Sequence, residues 1–141
     1  MHYLSNDPAE TEGIAGQLAK TLHSGDCIAL DGPLGAGKTQ FVRGLAIGLG
    51  ANPRSVSSPT FVLLNIYRGG RLPIFHLDAY RVTGPADFEG IGFAELLEQN
   101  GVIVVEWASR IAEILPAMRT NISIEVLGES QRRISIEDAG R

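Results

Sequence analysis

Cysteine, lysine and tryptophan are scarce in this chain. Its 141 residues include one cysteine, Cys27, and one tryptophan, Trp107. A single thiol excludes an internal disulfide. Cys27 lies inside an apolar run, where a thiol serves packing, and a lone thiol of this kind suits a reducing cytosol. Of the 12 basic residues, all but Lys20 and Lys38 are arginine. Acids outnumber bases, 16 to 12, for a net charge of −4, which argues against a broad non-specific nucleic-acid surface. The chain has no run of about 18 apolar residues and does not open on a basic-then-apolar leader. The expectation is a soluble, cytoplasmic protein with no membrane segment. No Gly-x-Gly-x-x-Gly occurs, so a dinucleotide site lacks support. No Asn-Lys-x-Asp occurs either, which removes the usual basis for guanine selection and leaves adenine preferred. The remaining composition, 44% hydrophobic and 20% charged, is that of an ordinary globular chain. The length suits a single domain, 1–141, with one good core.

One segment stands out. Gly32-Pro33-Leu34-Gly35-Ala36-Gly37-Lys38-Thr39 matches G-x-x-x-x-G-K-[ST], the phosphate-binding P-loop. The apolar run 27–31 before it reads as a buried strand, and 39–49 after it reads as a helix. Strand, loop and helix are the context in which the motif carries meaning. Glycines let the backbone curl so that N–H groups of Gly35, Ala36, Gly37 and their neighbours point at phosphate oxygens. The helix adds its positive dipole end. Lys38 is placed to neutralise charge on the β- and γ-phosphates, and the Thr39 hydroxyl to ligate Mg²⁺. Gly32, Leu34 and Gln40 complete the nucleotide-binding segment. Chance would produce the four fixed positions in roughly one random chain of this length in two hundred, with Gly near 7%.

The rest of the chain reads as α/β. Asp7 and Pro8 look like the N-cap and first residue of a helix whose apolar stripe is Ile14, Leu18, Ala19 and Leu22. Segment 4–8 is read only as the entry to that helix. Residues 54–60 are small and polar, hence loop. Segments 61–67 and 72–77 are strand-like, with Gly69-Gly70 as a hairpin signal between them. Segment 85–99 suggests short acidic helices. Residues 101–106 form a continuous apolar strand, as expected deep in a covered sheet. A short helix is expected over 111–115, stopped by Pro116. Segments 121–127 and 132–137 alternate apolar and polar residues and read as a terminal hairpin. The expected architecture is a P-loop NTPase-like three-layer fold. Its mixed sheet is partly parallel near the P-loop, with antiparallel hairpins at the side.

A P-loop ATPase needs an acid at the end of a strand beside the P-loop strand, to hold Mg²⁺ or its water. Glu106 follows 102–105, and Asp78 follows 74–77. Both are candidate metal ligands and catalytic residues, since one Mg²⁺ accepts several oxygen ligands. Thr60, in a Ser58-Pro59-Thr60 loop, stands where switch loops place a hydroxyl that senses the γ-phosphate. Trp107 adjoins Glu106 and is expected near the nucleotide. A strand histidine such as His76 more often serves the core than catalysis.

GPLGAGKT (32–39), SPTF (58–61), FHLDAYR (75–81), GIGFAELL (90–97) and VIVVEWASRI (102–111) occur in an order and spacing that resemble the TsaE family. This is the ATPase of bacterial tRNA threonylcarbamoyladenosine synthesis. The resemblance covers nearly the whole chain, including the hairpin at 122–137. The P-loop is shared by many families, whereas H-x-D-x-Y-R and E-W downstream of S-P-T are far more specific. The resemblance implies an ATP- and Mg²⁺-dependent enzyme, monomeric when isolated. It implies work with the partners TsaD and TsaB on N6 of adenosine 37 in tRNAs reading ANN codons. The ATPase touches tRNA indirectly, through the complex, and resets that complex between turnovers. Lys38 matches the phosphate lysine, Thr39 the Mg²⁺ hydroxyl and Thr60 the switch threonine. Asp78 and Glu106 match the acids near the metal, and Trp107 the active-site tryptophan. Thr11 matches a residue of the N-terminal segment near the base, and Arg132 or Arg133 approaches the nucleotide. Two positions depart from the family pattern. Pro33 stands where Asp is frequent, and Ala108-Ser109 where Pro-Glu is frequent.

Two other readings compete. A small-molecule kinase of the P-loop class needs an Arg-rich lid, and 110–141 leaves little length for one. A non-catalytic, nucleotide-dependent adaptor does not require the intact Lys38, Thr39 and acids.

Overall fold

Three strands carry the most apolar segments of the chain and lie side by side. They are β2 (Cys27–Asp31), β4 (Ile74–Asp78) and β5 (Val102–Glu106). The structure is a computed structural model that describes residues 1–56, 64–80, 82, 86–89 and 92–139, with backbone alone at 88, 89 and 139. β5 sits between β2 and β4 and is parallel to both. A strand covered on both faces needs apolar side chains at every position. Alternation then divides them. Ile28, Leu30, Ile74, Val102 and Val104 join one core, and Cys27, Ala29, Phe75, Leu77, Ile103 and Val105 the other.

Each core has its own cover. Helices α1 (Pro8–Ala19) and α2 (Lys38–Leu49) pack on the first face. Of the short helices α3 (Ala86–Glu89) and α4 (Phe93–Leu97), α4 packs on the second face, together with a 3-10 stretch, Ala108–Ile114. The remaining strands are β1 (His2–Ser5), β3 (Leu64–Tyr67), β6 (Arg119–Val126) and β7 (Arg132–Ala139). The sheet order is β1-β7-β6-β2-β5-β4-β3. Strands β2, β4, β5 and β6 run parallel to their neighbours in the centre, while β3 and β4, β6 and β7, and β1 and β7 pair antiparallel. This is the three-layer, mixed-sheet α/β architecture expected.

Three details differ from the sequence reading. Segment 2–5 is an edge strand on β7 rather than a mere helix entry, and its register pairs His2 with Ser135 and Ser5 with Arg132. The expected helix at 111–115 is instead part of a 3-10 stretch over Ala108–Ile114, interrupted at Ile111, whose φ of −129° and ψ of 29° are not helical. The stripe on α1 also shifts. Thr11, Ala15 and Ala19 are buried, while Ile14 and Leu18 sit at the rim. In the segment expected as loop over 54–60, Pro53–Ser55 forms one 3-10 turn, while 57–60, with Thr60, and 61–63 of the expected strand lie outside the described residues.

The shifted stripe has a steric cause. A methyl group at Gly44 of α2 would lie 2.4 Å from the Glu12 carbonyl oxygen and 2.7 Å from the Ala15 Cβ. One at Gly48 would lie 2.6 Å from the Ala19 Cβ. Only small side chains fit this crossing, so the bulky ones turn outward. The close approach lays the first turn of α1 beside the start of α2.

Gly44→Ala sets two effects against each other. A mid-helix alanine gains about 1 kcal/mol over glycine. Overpacking against backbone atoms costs about 1–3 kcal/mol. We expect a net destabilisation of up to about 2 kcal/mol in urea unfolding; a variant more stable than the parent would mean the helices separate freely.

Cys27 supplies a second expectation. Burial pushes its thiol from 9.0 up to about 12, Arg119 opposing and Asp26 adding to the rise. The unfolded thiol therefore ionises before the folded one, so stability is lost as pH rises from 9 towards 12. Cys27→Ala should flatten that loss in unfolding curves. In the native parent, thiol reagents should leave Cys27 unlabelled at neutral pH.

Candidate functional site

The parallel strands end together. Glu106 lies in register with Leu30 on one side and Asp78 on the other. Positions 102, 104 and 106 alternate to the face of α1 and α2, as do 74, 76 and 78, so both acids emerge on the P-loop side. The crevice beyond the carboxyl ends of parallel strands is where α/β folds place ligands. Here it is a cavity of about 450 Å³.

The loop itself links β2 to α2. Gly35 and Gly37 have φ of 79° and 102°, the left-handed region that glycine adopts without cost. A Cβ at Gly32 would meet the Ile124 carbonyl oxygen at 2.8 Å, so the loop passes tightly over β6. Gly37 gives α2 no side-chain cap, and the first turn holds no acid. Unsatisfied N–H groups and the positive dipole end therefore face the cavity.

Lys38 is buried and donates to the carbonyls of Gly32 and Pro33. Its ammonium lies 3.9 Å from the centroid of the Trp107 ring. Burial lowers its pKa, opposed by Glu106, Asp78 and Asp31. Asp78 moves the other way. Burial raises its pKa with help from Glu106, while the Tyr80 N–H, donated to Oδ1 at 2.8 Å, together with His76 and Lys38, oppose the rise.

Glu106 is held from several directions. His76 Nε2 contacts its Oε2 at 2.5 Å. Its own carbonyl accepts from the Ala79 N–H, and the next N–H, that of Trp107, donates to Leu30 O, each at 2.9 Å. Trp107 takes φ 58°, the only left-handed non-glycine among the described residues. The cost of that conformation, on the order of 1–3 kcal/mol, is borne next to a site acid. The ring packs against that of Tyr80 at 5.0 Å between centroids, tilted by 41°.

The sequence candidates converge. Leu34, Gly35, Ala36, Gly37, Lys38, Thr39 and Gln40 line the cavity along one wall, with Asp78, Glu106 and Trp107 across from them. Gly32 contributes its carbonyl to Lys38 instead of lining the space. Thr11 reaches the cavity from α1, its hydroxyl 2.7 Å from Ser5 Oγ. Arg132 lines it too, and its guanidinium holds the P-loop carbonyls of Ala36 at 3.1 Å and Gly35 at 3.3 Å. Arg133 instead pairs with Glu125 on the exposed face of the hairpin. Thr60 lies outside the described residues.

Other lining residues escaped the sequence reading. Asp7 and Pro8 read in the sequence only as a helix start and Tyr80 only as part of a motif, while Glu129 and Ser130 fall between the two hairpin segments. The departures from the family pattern also find places. The Pro33 carbonyl receives Lys38, and the Ser109 hydroxyl and N–H both donate to Asp31 Oδ1. Thr39, Asp78 and Glu106 form an all-oxygen donor set suited to a hard cation. Among the described residues no three His, Cys, Asp or Glu side chains gather as a metal centre on their own.

Fold and site together define a P-loop protein of the three-layer α/β class. Residues 5–134 match the family of the threonylcarbamoyl adenosine biosynthesis protein TsaE. The chain belongs to the TsaE family. It is 40% identical to the tRNA threonylcarbamoyladenosine biosynthesis protein TsaE of Treponema pallidum (strain Nichols), over 96% of this chain and 99% of that protein. It is 42% identical to the protein of the same name in Bacillus subtilis (strain 168), over 95% and 83%. Its backbone is similar to the crystal structure of Bacillus subtilis YdiB, with a TM-score of 0.82 at 36% identity, over 99% of this chain and 86% of that one.

The lysine–tryptophan contact can be read directly in solution. Because Trp107 is the only tryptophan, Lys38→Met should shift the emission of the ligand-free protein. An unchanged spectrum would place the ammonium away from the ring.

Proposed function

We propose that this chain is a Mg²⁺-dependent ATPase that serves the N6-threonylcarbamoylation of adenosine 37 in tRNAs reading ANN codons, acting in the cytoplasm while bound to TsaD and TsaB. The observation that carries the reading is the single cavity in which Lys38, Thr39, Asp78, Glu106 and Trp107 meet above the uncapped start of α2. Family membership supports the pathway.

Charge supports the metal. Asp31, Asp78 and Glu106 all act on Lys38. A bare polyphosphate is repelled by such carboxylates, and a divalent cation resolves the conflict. Thr39, Asp78 and Glu106 supply oxygen ligands of the kind Mg²⁺ takes, directly or through water. When bound, the ion neutralises charge on the β- and γ-phosphates.

The chain's own groups do the rest. P-loop amides and Lys38 hold the phosphates, which keeps the γ-phosphoryl group fixed for in-line attack. Trp107 closes the wall beside Glu106 and limits water. Thr11, with Asp7 and Pro8, borders the same cavity from α1 and suits the adenosine end. Thr60 senses the γ-phosphate. Products are ADP and phosphate, and tRNA contact stays with the complex.

Steady-state phosphate release tests the reading, measured alone, with TsaD plus TsaB, and with a panel of small acceptors. We expect turnover well below about 10 s⁻¹ alone and stimulation by the partners. Transfer to a small acceptor would favour the kinase alternative. Asp78→Asn and Glu106→Gln should each lower stimulated turnover at least tenfold with the melting transition preserved. Lys38→Ala should weaken ATP binding by roughly tenfold to a hundredfold, about 1.5–3 kcal/mol. Thr60→Ala should harm stimulated turnover more than binding.

A further inference from the structure

Glu106 does not reach its place unaided. Behind it, within the sheet face covered by α2, stand two polar side chains that do not line the cavity. His76 is wholly buried and Tyr67 is 3% exposed. His76 Nε2 faces Glu106 Oε2 at 2.5 Å, and its Nδ1 faces the Tyr67 hydroxyl at 2.8 Å. The three residues come from adjacent strands β3, β4 and β5, so the sheet ladder fixes their spacing. A carboxylate only accepts, so Nε2 carries the hydrogen shared with Glu106, and in the neutral ring Nδ1 then accepts from the Tyr67 hydroxyl.

We propose that His76 and Tyr67 are positioning residues for the ATPase reaction. They lock Glu106 through Oε2 and thereby present Oε1 to the cavity as the working oxygen. Several features favour this over a purely packing role. A buried polar pair at the core of an otherwise apolar face is costly and is kept only where its hydrogen bonds are complete. A leucine at either position would fill the space without that cost. At one end the chain of bonds meets a site acid. Outer partners of this kind orient carboxylate and imidazole ligands in metal sites, and their loss typically costs about tenfold or more in affinity or rate. The sequence alone had favoured a core role for His76. The structure makes it both core and site, because the core side of Glu106 is His76.

The inference rests on the ATPase reading, so the test separates the two. Tyr67→Phe keeps the ring and removes only the hydroxyl. With TsaD and TsaB present, kcat should fall about tenfold while KM for ATP stays near that of the parent; the fold persists with a lowered melting transition, because the buried His76 Nδ1 loses its donor. In a Glu106→Gln background the same substitution should have no further effect, because it acts through that carboxylate. His76→Gln should lower kcat more, and Tyr67→Phe still decides the matter if that variant fails to fold. A second readout needs no turnover. The His76 Nε2–H proton in the ligand-free protein should exchange with water at least tenfold faster in Tyr67→Phe than in the parent. An equal loss of kcat in both backgrounds, or an unchanged exchange rate, overturns the positioning role. A parent that shows no turnover with its partners counts against the ATPase reading, and the exchange rate then decides the positioning chain by itself.

Discussion

The register of β2, β5 and β4 is the constraint on which the site depends. Leu30 faces Glu106 and Glu106 faces Asp78 across the ladder. Side chains alternate along a strand, so a slip of one residue would turn an acid to the opposite face and bury it in the second core. The apolar residues before each acid guard against that slip. Ile74, Val102 and Val104 are wholly buried under α1 and α2, and they set which way positions 78 and 106 point.

That frame also explains how charged groups survive at the sheet edge. Lys38, Asp78 and Glu106 are each less than a tenth exposed. Burial lowers the pKa of Lys38 and raises that of Asp78. Mutual attraction, the Tyr80 amide on Asp78 and the His76 ring on Glu106 offset part of that cost. The left-handed turn at Trp107 belongs to the same economy. It takes the chain out of β5 so that the ring covers Lys38 and the next turn brings Ser109 onto Asp31. Strain is tolerated where hydrogen bonds on both sides over-determine the backbone.

The α1–α2 crossing supplies the fourth wall. Gly44 and Gly48 let the two helices approach until backbone meets side chain. As a result Thr11 and Asp7, far from the P-loop in sequence, border the same cavity. On the other flank, Arg132 reaches from the terminal hairpin to the carbonyls of Gly35 and Ala36. The P-loop is thus held by both ends of the chain, joined through the pairing of β1 with β7.

Much of this was legible in the residues themselves. The P-loop, its flanking strand and helix, the two strand-end acids and the terminal hairpin follow from local pattern. Glycine spacing, apolar runs and alternation are dictated by backbone sterics and burial that act over a few neighbouring positions. Edge strand β1, the rotated face of α1, the lining role of Tyr80 and the partnership of His76 with Glu106 and Tyr67 were not legible. Each depends on which strands become neighbours and how closely two helices approach. Those outcomes are set by the summed packing of two cores, which no short stretch of sequence contains. Local pattern dictates that a phosphate loop and two strand-end acids exist; their meeting in one cavity is a tertiary outcome, because strand order and register bring residues from distant segments to the carboxyl ends of adjacent strands.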